Sequence, residues 1–251
     1  MKLIINADDM AYSQDVNDTI FDLMDKRKIS SATVLAGGAA LDDAVRRIKG
    51  YPGCSFGVHL YLTELRPLTN SAIWGKYQLL DDNENFNTGI RHCKRTDEIR
   101  EAIFDEWCSQ VDKLNHLQVQ ISHIDSHQHV HTIPWLFFIL KRVQKKYNIR
   151  KVRKTLNLYD SSSAPANHLL FKKWLWNFML ANIYRTKVTR YFTKLDWFLR
   201  IMQKAPSKYA GTFEIMTHPG SDLYENDVDL LLSGWENYIP KSFELISYNE
   251  L

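Results

Sequence analysis

The sequence predicts an α/β fold in which parallel strands are joined by crossover helices. Short apolar runs alternate with longer stretches of helical spacing along most of the chain. Such alternation feeds successive strands into one sheet, with the helices covering it. The length, 251 residues, is one at which α/β barrels form a single unit. No repeat, low-complexity tract or linker divides it, so residues 1–251 read as a single domain. A closed barrel and an open doubly wound sheet both fit this pattern. No Gly-rich dinucleotide fingerprint or phosphate loop is present.

The elements follow in order. "KLIINA" (Lys2 to Ala7) reads as a buried strand. Ser13 is a fitting N-cap for a helix with apolar residues at Val16, Ile20, Phe21 and Met24. "SATVLAGG" (Ser31 to Gly38) is a strand, and "ALDDAVRRIKG" a helix that Gly50 would close in the left-handed conformation. "CSFGVHLYL" (Cys54 to Leu62) is a third strand, followed by a polar extended loop from Thr63 to Arg95. Thr96 caps an amphipathic helix reaching Leu117. "VQISHIDSH" is a strand, and Pro134 opens the next helix. "IRKVRK" is a short strand, "GTFEIMTH" (Gly211 to His218) a late one, "DVDLLLSGWENYI" a last helix and "FELISYN" a last strand.

Composition narrows the class. Hydrophobic residues make up 45% and charged residues 24%, which suits a packed core and excludes a disordered chain. A net charge of +3 makes no case for nucleic acid. Cys54, Cys93 and Cys108 form no CxxC pair, which argues against a disulfide framework and for a reducing compartment. The first apolar run meets Asp8 and Asp9 before any signal-like core develops, and "IPWLFFIL" is too short to span a bilayer. The expectation is a cytoplasmic protein.

One segment breaks the alternation. His168 to Lys204 is rich in aromatic and basic residues. It reads as one or two helices packing aromatics into the core. Its functional reading is a basic, aromatic-lined surface that contacts a membrane or a lipid-linked substrate.

The chemistry-bearing residues lie at strand ends. In parallel α/β folds the carboxyl ends of the strands form the ligand rim. Asp8 and Asp9 end the first strand and His59 the third. Asp125, His127, His129 and His131 end another, and His218 a late one. Each alone has a bland explanation as turn or half-buried polar chemistry. Together they point to a metal site.

Geometry limits that site. His123, Asp125, His127, His129 and His131 share one parity, yet a strand rises about 3.3 Å per residue. Ends roughly 26 Å apart cannot share an ion whose bonds are about 2 Å long unless the chain bends sharply. One histidine of the run is therefore expected to ligate, with Asp125 or another histidine orienting a ligand. Asp8 and Asp9 are adjacent and point apart, which allows one to hold metal and the other to act as base.

"NADD", "GVHLYLT", "HIDSHQHVH" and "HPG", in that order, resemble the YdjC-like carbohydrate deacetylase family, which includes the chitooligosaccharide deacetylases. The resemblance runs from about residue 3 to the end of the sequence. It implies a distorted TIM-like (β/α) barrel that removes acetyl groups from N-acetylated sugars with one divalent metal. It implies Asp9, His59 and His127 as metal ligands, Asp8 as general base, and His218 as proton donor to the leaving amine or transition-state stabiliser. It implies Arg153 as the residue orienting the catalytic aspartate. Two imidazoles and a carboxylate suit zinc, whereas magnesium prefers oxygen. Magnesium is nevertheless described for family members, so both metals stand as expectations.

Two departures touch the pocket rim: Met10 and Ala11 replace the family's Phe-Gly, and Gly37 and Gly38 stand where an asparagine often ends the second strand. The segment after His168 is unlike small chitobiose-type members and points to a longer or lipid-attached glycan. A homodimer is a further open expectation. The alternatives are another metal-dependent amidohydrolase or a phosphoesterase using His129 and His131 as extra ligands, and a glycan-binding protein without turnover.

Overall fold

β1 (Lys2–Met10) runs through the middle of a seven-stranded parallel sheet. Its neighbours are β2 (Ser31–Val34) and β6 (Thr212–Thr217). β3 (Ser55–Leu60) and then β4 (Ile121–Ser126) extend one side, and β5 (Tyr191–Lys194) extends the other. β7 (Glu244–Leu245) pairs with the first residues of β1. This computed structural model describes residues 1–70, 72–160, 163–205, 208–221, 224, 226–239 and 242–251.

The connecting helices are α1 (Gln14–Asp25), α2 (Leu41–Ile48), α3 (Ala72–Lys76), α4 (Asp97–His116), α5 (Phe137–Tyr147), α6 (Asn167–Asn182), α7 (Leu195–Lys204) and α8 (Asn226–Leu232). Ser13 caps α1 by accepting from the Val16 amide, and Thr96 caps α4 by accepting from the Ile99 amide. Gly50 does not close α2 through a left-handed turn: it keeps an ordinary φ, and its amide bonds the Arg47 carbonyl at 2.9 Å.

Several expectations are corrected. The 63–95 stretch contains α3, a 3-10 turn at Thr88–Arg91 and a bridge between Leu80 and Phe86. The last strand shrinks to two residues. "IRKVRK" forms no full strand, only isolated bridges from Val152 to Ile124 and from Lys151 to Lys187. The segment after His168 holds α6 and α7 as helices, but β5 lies between them.

The sheet is a curled half-barrel. β4 and β5 end the strand path and do not pair with each other. The extended stretch 150–158 crosses between them: Arg153 N donates to Ile124 O (3.0 Å), and Asn157 N to Phe192 O (3.3 Å). Its backbone groups are divided between two neighbours over a few residues, so no ladder develops to complete a barrel.

Alternation along each strand separates two chemistries. One set of side chains, including Leu3, Ile5, Ala7, Ala32, Val34, Val58, Ile124, Phe213 and Ile215, belongs to the main apolar core. The alternate set is buried and polar: Asn6, Asp8, Ser31, Thr33, Ser55, His59, His123, Asp125 and Glu214. These polar side chains meet inside the curl, where buried polar groups must bond one another.

Candidate active site

The backbone leaves regular strand geometry where the site begins. β1 and β2 slip register between Ala7 and Met10, and Asp9 takes a left-handed φ of 62°. A non-glycine residue in that region stores strain of order 1–3 kcal/mol, a cost concentrated at functional sites. The bulge, rather than simple strand alternation, sends the Asp8 and Asp9 carboxylates apart. β4 ends at Ser126, and Gln128 and His129 then turn left-handed within the 3-10 segment His127–Thr132. That is the sharp bend the histidine run requires.

Asp9, His59 and His127 each offer a ligand atom within 4.8 Å of the others. Asp9 Oδ1 lies 3.1 Å from His59 Nε2 and 2.7 Å from His127 Nδ1. Nδ1 of His59 meets Asp125 Oδ1 at 2.7 Å, and Thr33 Oγ1 donates to Asp125 Oδ2 at 3.0 Å. Nε2 of His127 meets Glu64 Oε2 at 2.8 Å, and Gln128 also bonds Glu64. Each imidazole is therefore oriented by a carboxylate on its far nitrogen, the usual companion of a metal-binding histidine.

Asp8 stands outside this trio. Arg153 grips it with both terminal nitrogens, at 2.6 and 2.7 Å, and Asn6 Nδ2 donates to its Oδ1 at 2.9 Å. Arg153 also reaches Asp125 Oδ2 at 2.8 Å and donates from Nε to Glu214 Oε1 at 2.6 Å. The Tyr248 hydroxyl donates to Glu214 Oε2 at 2.5 Å. A fully buried guanidinium thus faces three carboxylates. His218 Nε2 approaches Asp8 Oδ2 at 3.8 Å. Its ring stacks on Tyr224, and its amide donates to Asp227.

Protonation follows from these contacts. Burial works to raise the Asp8 pKa, but the charge and hydrogen bonds of Arg153 overcome it and hold the group well below the usual carboxylate range. Burial also opposes ionisation of Asp9, and hydrogen bonds from His127 and His59 outweigh it. Burial would lower His59, yet Asp125 and Asp9 raise it to about 10 without a metal. His129 is pushed down to about 3 chiefly by burial, so it stays neutral. Glu214 is pushed up to about 7 by burial, against the pull of Arg153.

The six residues to which the resemblance gives roles lie together here, Asp8, Asp9, His59, His127, His218 and Arg153, and Asp125 joins them. The rest of the histidine run does not join the trio. His131 bonds Ser126 and the Arg153 carbonyl, His123 stacks on Tyr248, and His129 sits edge-on to Phe192. The sequence reading missed Asn6, Thr33, Glu64, Glu214 and Tyr248. Polar residues at alternate positions in otherwise apolar strands were the available signal for Asn6, Thr33 and Glu214. A cavity of about 640 Å³ opens over Asp8, Asp9, His59, His127 and His218, and Glu64 and Tyr12 stand in its wall.

Comparison with known proteins places the chain among relatives. The model of the YdjC-like protein family matches residues 2–239. A carbohydrate deacetylase of Vibrio cholerae serotype O1 is 37% identical over 149 residues, 59% of this chain and 57% of that protein. The chain therefore aligns with less than two thirds of the length of that relative. A carbohydrate deacetylase of Halalkalibacterium halodurans is 28% identical over 98% of this chain and 95% of its own. A crystal structure of a candidate cellobiose-phosphate cleavage protein from Enterococcus faecalis V583 superimposes with a TM-score of 0.77 over 99% of this chain and 98% of that one, at 19% identity. That likeness supports the fold alone.

Proposed function

The chain belongs to the YdjC-like family, and from that premise we propose that it is a metal-dependent deacetylase of N-acetylated sugars. The observation that carries the reading is the convergence of Asp9, His59 and His127 beside an aspartate that is not one of the trio. Full-length similarity to a carbohydrate deacetylase supports the substrate class.

The donor set fits a divalent ion. Two imidazoles and one carboxylate, already within a few ångströms of one another, match the chemistry of zinc sites that keep an open position. Magnesium fits less well by ligand type but is within the family's range. Asp8, His59 and Asp125 form a second close group, but the Arg153 guanidinium already bonds both of its carboxylates. His131 bonds the Arg153 carbonyl, and His129 belongs to neither close group among the described residues. One ion per chain is expected, which weighs against a multi-metal phosphoesterase. When bound, the ion supplies Lewis acidity, polarising the acetyl carbonyl and lowering the pKa of water from 15.7 towards about 7.

The protein groups supply the proton traffic. Asp8, held ionised by Arg153, accepts a proton from the attacking water. His218, whose Nε2 stands 3.8 Å from Asp8 Oδ2, donates a proton to the departing nitrogen. The products are a free amino sugar and acetate. A base has no purpose in a protein that only binds glycans, so retention of Asp8 favours turnover. The unpaired Cys54, Cys93 and Cys108 fit the cytoplasmic setting proposed.

The test is a screen of N-acetylated oligosaccharides and of nucleotide- and lipid-linked N-acetyl sugars for acetate release. Release that a chelator abolishes and zinc restores is the expected result. No release from any of them by protein carrying one ion per chain would overturn the reading.

A further inference from the structure

We infer that the outward face of α6 is a docking surface for an anionic lipid bilayer. Helix α6 leaves three of its four aromatics exposed, where its sequence suggested that they pack into the core. Only Trp176 and Leu180 are buried. Phe171, Trp174 and Phe178, at helical positions i, i+3 and i+7, are 62%, 58% and 54% exposed. Their rings form one continuous stack, with centroids 5.8 and 5.7 Å apart. Leu175 lies on the same stripe, which is about 100° wide at 100° per residue. A soluble helix ordinarily turns such a stripe inward.

The helix cannot simply roll over to hide this face. Lys141 of α5 donates to the carbonyls of Leu180 and Ile183 and to Thr186 Oγ1, at 2.9, 2.9 and 2.7 Å. Asn177 Oδ1 accepts from the Thr155 amide at 2.8 Å. The C-terminal half is thus pinned from behind, and the ring stack is held towards solvent.

Charge selects the occupant. Between Asp160 and Asp196 the sequence contains no acidic residue, while Lys172, Lys173, Arg185, Lys187, Arg190 and Lys194 fall in that stretch. Lys172 is exposed on α6 beside the rings, and Arg185, Lys187 and Arg190 are exposed just beyond it. A two-fold pairing of this face with itself would bring like charges together. An aromatic and aliphatic stripe flanked by Lys and Arg matches the interface of an anionic membrane. Contact must be interfacial, because no helix among the described residues is long and apolar enough to cross a bilayer.

The surface also adjoins the candidate active site. A groove of about 430 Å³ runs beside Trp174 and Phe178 and is lined by Lys154, Lys173 and Leu156. Leu156 also lines the cavity over Asp8. Docking at α6 would therefore bring that cavity near the lipid headgroups. This inference does not depend on the deacetylase reading.

The experiment is co-sedimentation of the whole protein with vesicles of phosphatidylcholine alone or mixed equally with phosphatidylglycerol. Binding to the mixed vesicles only, weakened by salt, is the expected result. The triple variant Phe171→Ser/Trp174→Ser/Phe178→Ser, and separately Lys172→Glu, should each weaken partitioning by about tenfold or more. Both changes are at exposed positions, and the circular dichroism melt should stay close to that of the parent protein. No binding to the mixed vesicles, or equal binding by the triple variant, would overturn the proposal. So would a parent dimer in gel filtration that the triple variant disperses, since the face would then belong to a second copy.

Discussion

Asp8 and Asp9 are neighbours in sequence with opposite company: a guanidinium for one, two imidazoles for the other. That difference makes their roles separable. Asp8→Asn is expected to keep close to one metal per chain and to lower turnover by about 10²–10⁴-fold, the usual worth of a general base. His127→Ala should lose metal and turnover together. Elemental analysis alongside an acetate assay distinguishes them, and a metal-free Asp8→Asn protein would contradict the assignment. A metal site was legible because His and Asp at several strand ends have few reasons to recur, but the choice of Asp9 over Asp8 and of His127 within its run came from the family resemblance. Arg153 was legible only through the family resemblance, since a basic residue in "KVRK" looks like any solvated lysine or arginine. The two departures at the rim turn out to touch. Ala11 adopts a left-handed φ of 78°, the conformation a glycine would favour, and a Cβ on Gly38 would lie 2.2 Å from the Ala11 carbonyl oxygen. With an alanine at position 11, the facing loop needs the space that glycine leaves.

Among the elements, helices with caps and clear periodicity were readable from sequence, as α1 and α4 show. Those set by tertiary contacts were not. β5 has four residues inside an aromatic-rich stretch, too short to show a period of two, and it exists through pairing with β6. The ordered part of the 63–95 loop was hidden for a similar reason, because its anchors are side chains on and beside α4, Glu98 and Glu106 among them. Glu106 is fully buried and accepts from the amides of Leu68 and Thr69, at 3.0 and 2.8 Å, and from Thr69 Oγ1 at 2.6 Å. Glu106→Ala leaves these donors without a partner, a loss of about 1–3 kcal/mol in stability. Hydrogen exchange should show the Leu68 and Thr69 amides losing protection. Because Glu64 sits at the root of the same loop and braces His127, metal affinity should weaken as well.

At the scale of the whole molecule, the curl of the sheet concentrates charge in its interior, and that carries a pH signature. Glu214 is pushed up to about 7 by burial, from an ordinary 4.5. Between these values the folded protein keeps a proton on Glu214 that the unfolded chain has released. Rising pH therefore removes stability over that window, since the native state binds more protons. Glu214→Gln should flatten this part of the profile. The check is the melting temperature of the parent minus that of the variant, which should be higher at pH 5 than at pH 7.5. An unchanged difference would mean Glu214 is ionised throughout. The polar residues that create this effect stand at alternate strand positions, a signal the sequence reading passed over, and their connectivity depends on how far the sheet curls, which no local pattern encodes.

The base of this interior is sealed from an unexpected direction. Tyr248 donates from its hydroxyl to Glu214 and from its amide to Ser55 Oγ, at the start of β3, at 2.9 Å, and its ring stacks on His123 with centroids 3.6 Å apart. Lys151 donates to its carbonyl at 2.6 Å. Substrate would enter from the other end, above the strand termini. Proteolytic trimming of residues 248–251, or a fusion partner that drags them outward, would therefore open a rear entrance for water. The guanidinium clamp would then slacken with the cavity mouth left untouched, and damage at the tail would register as a catalytic defect.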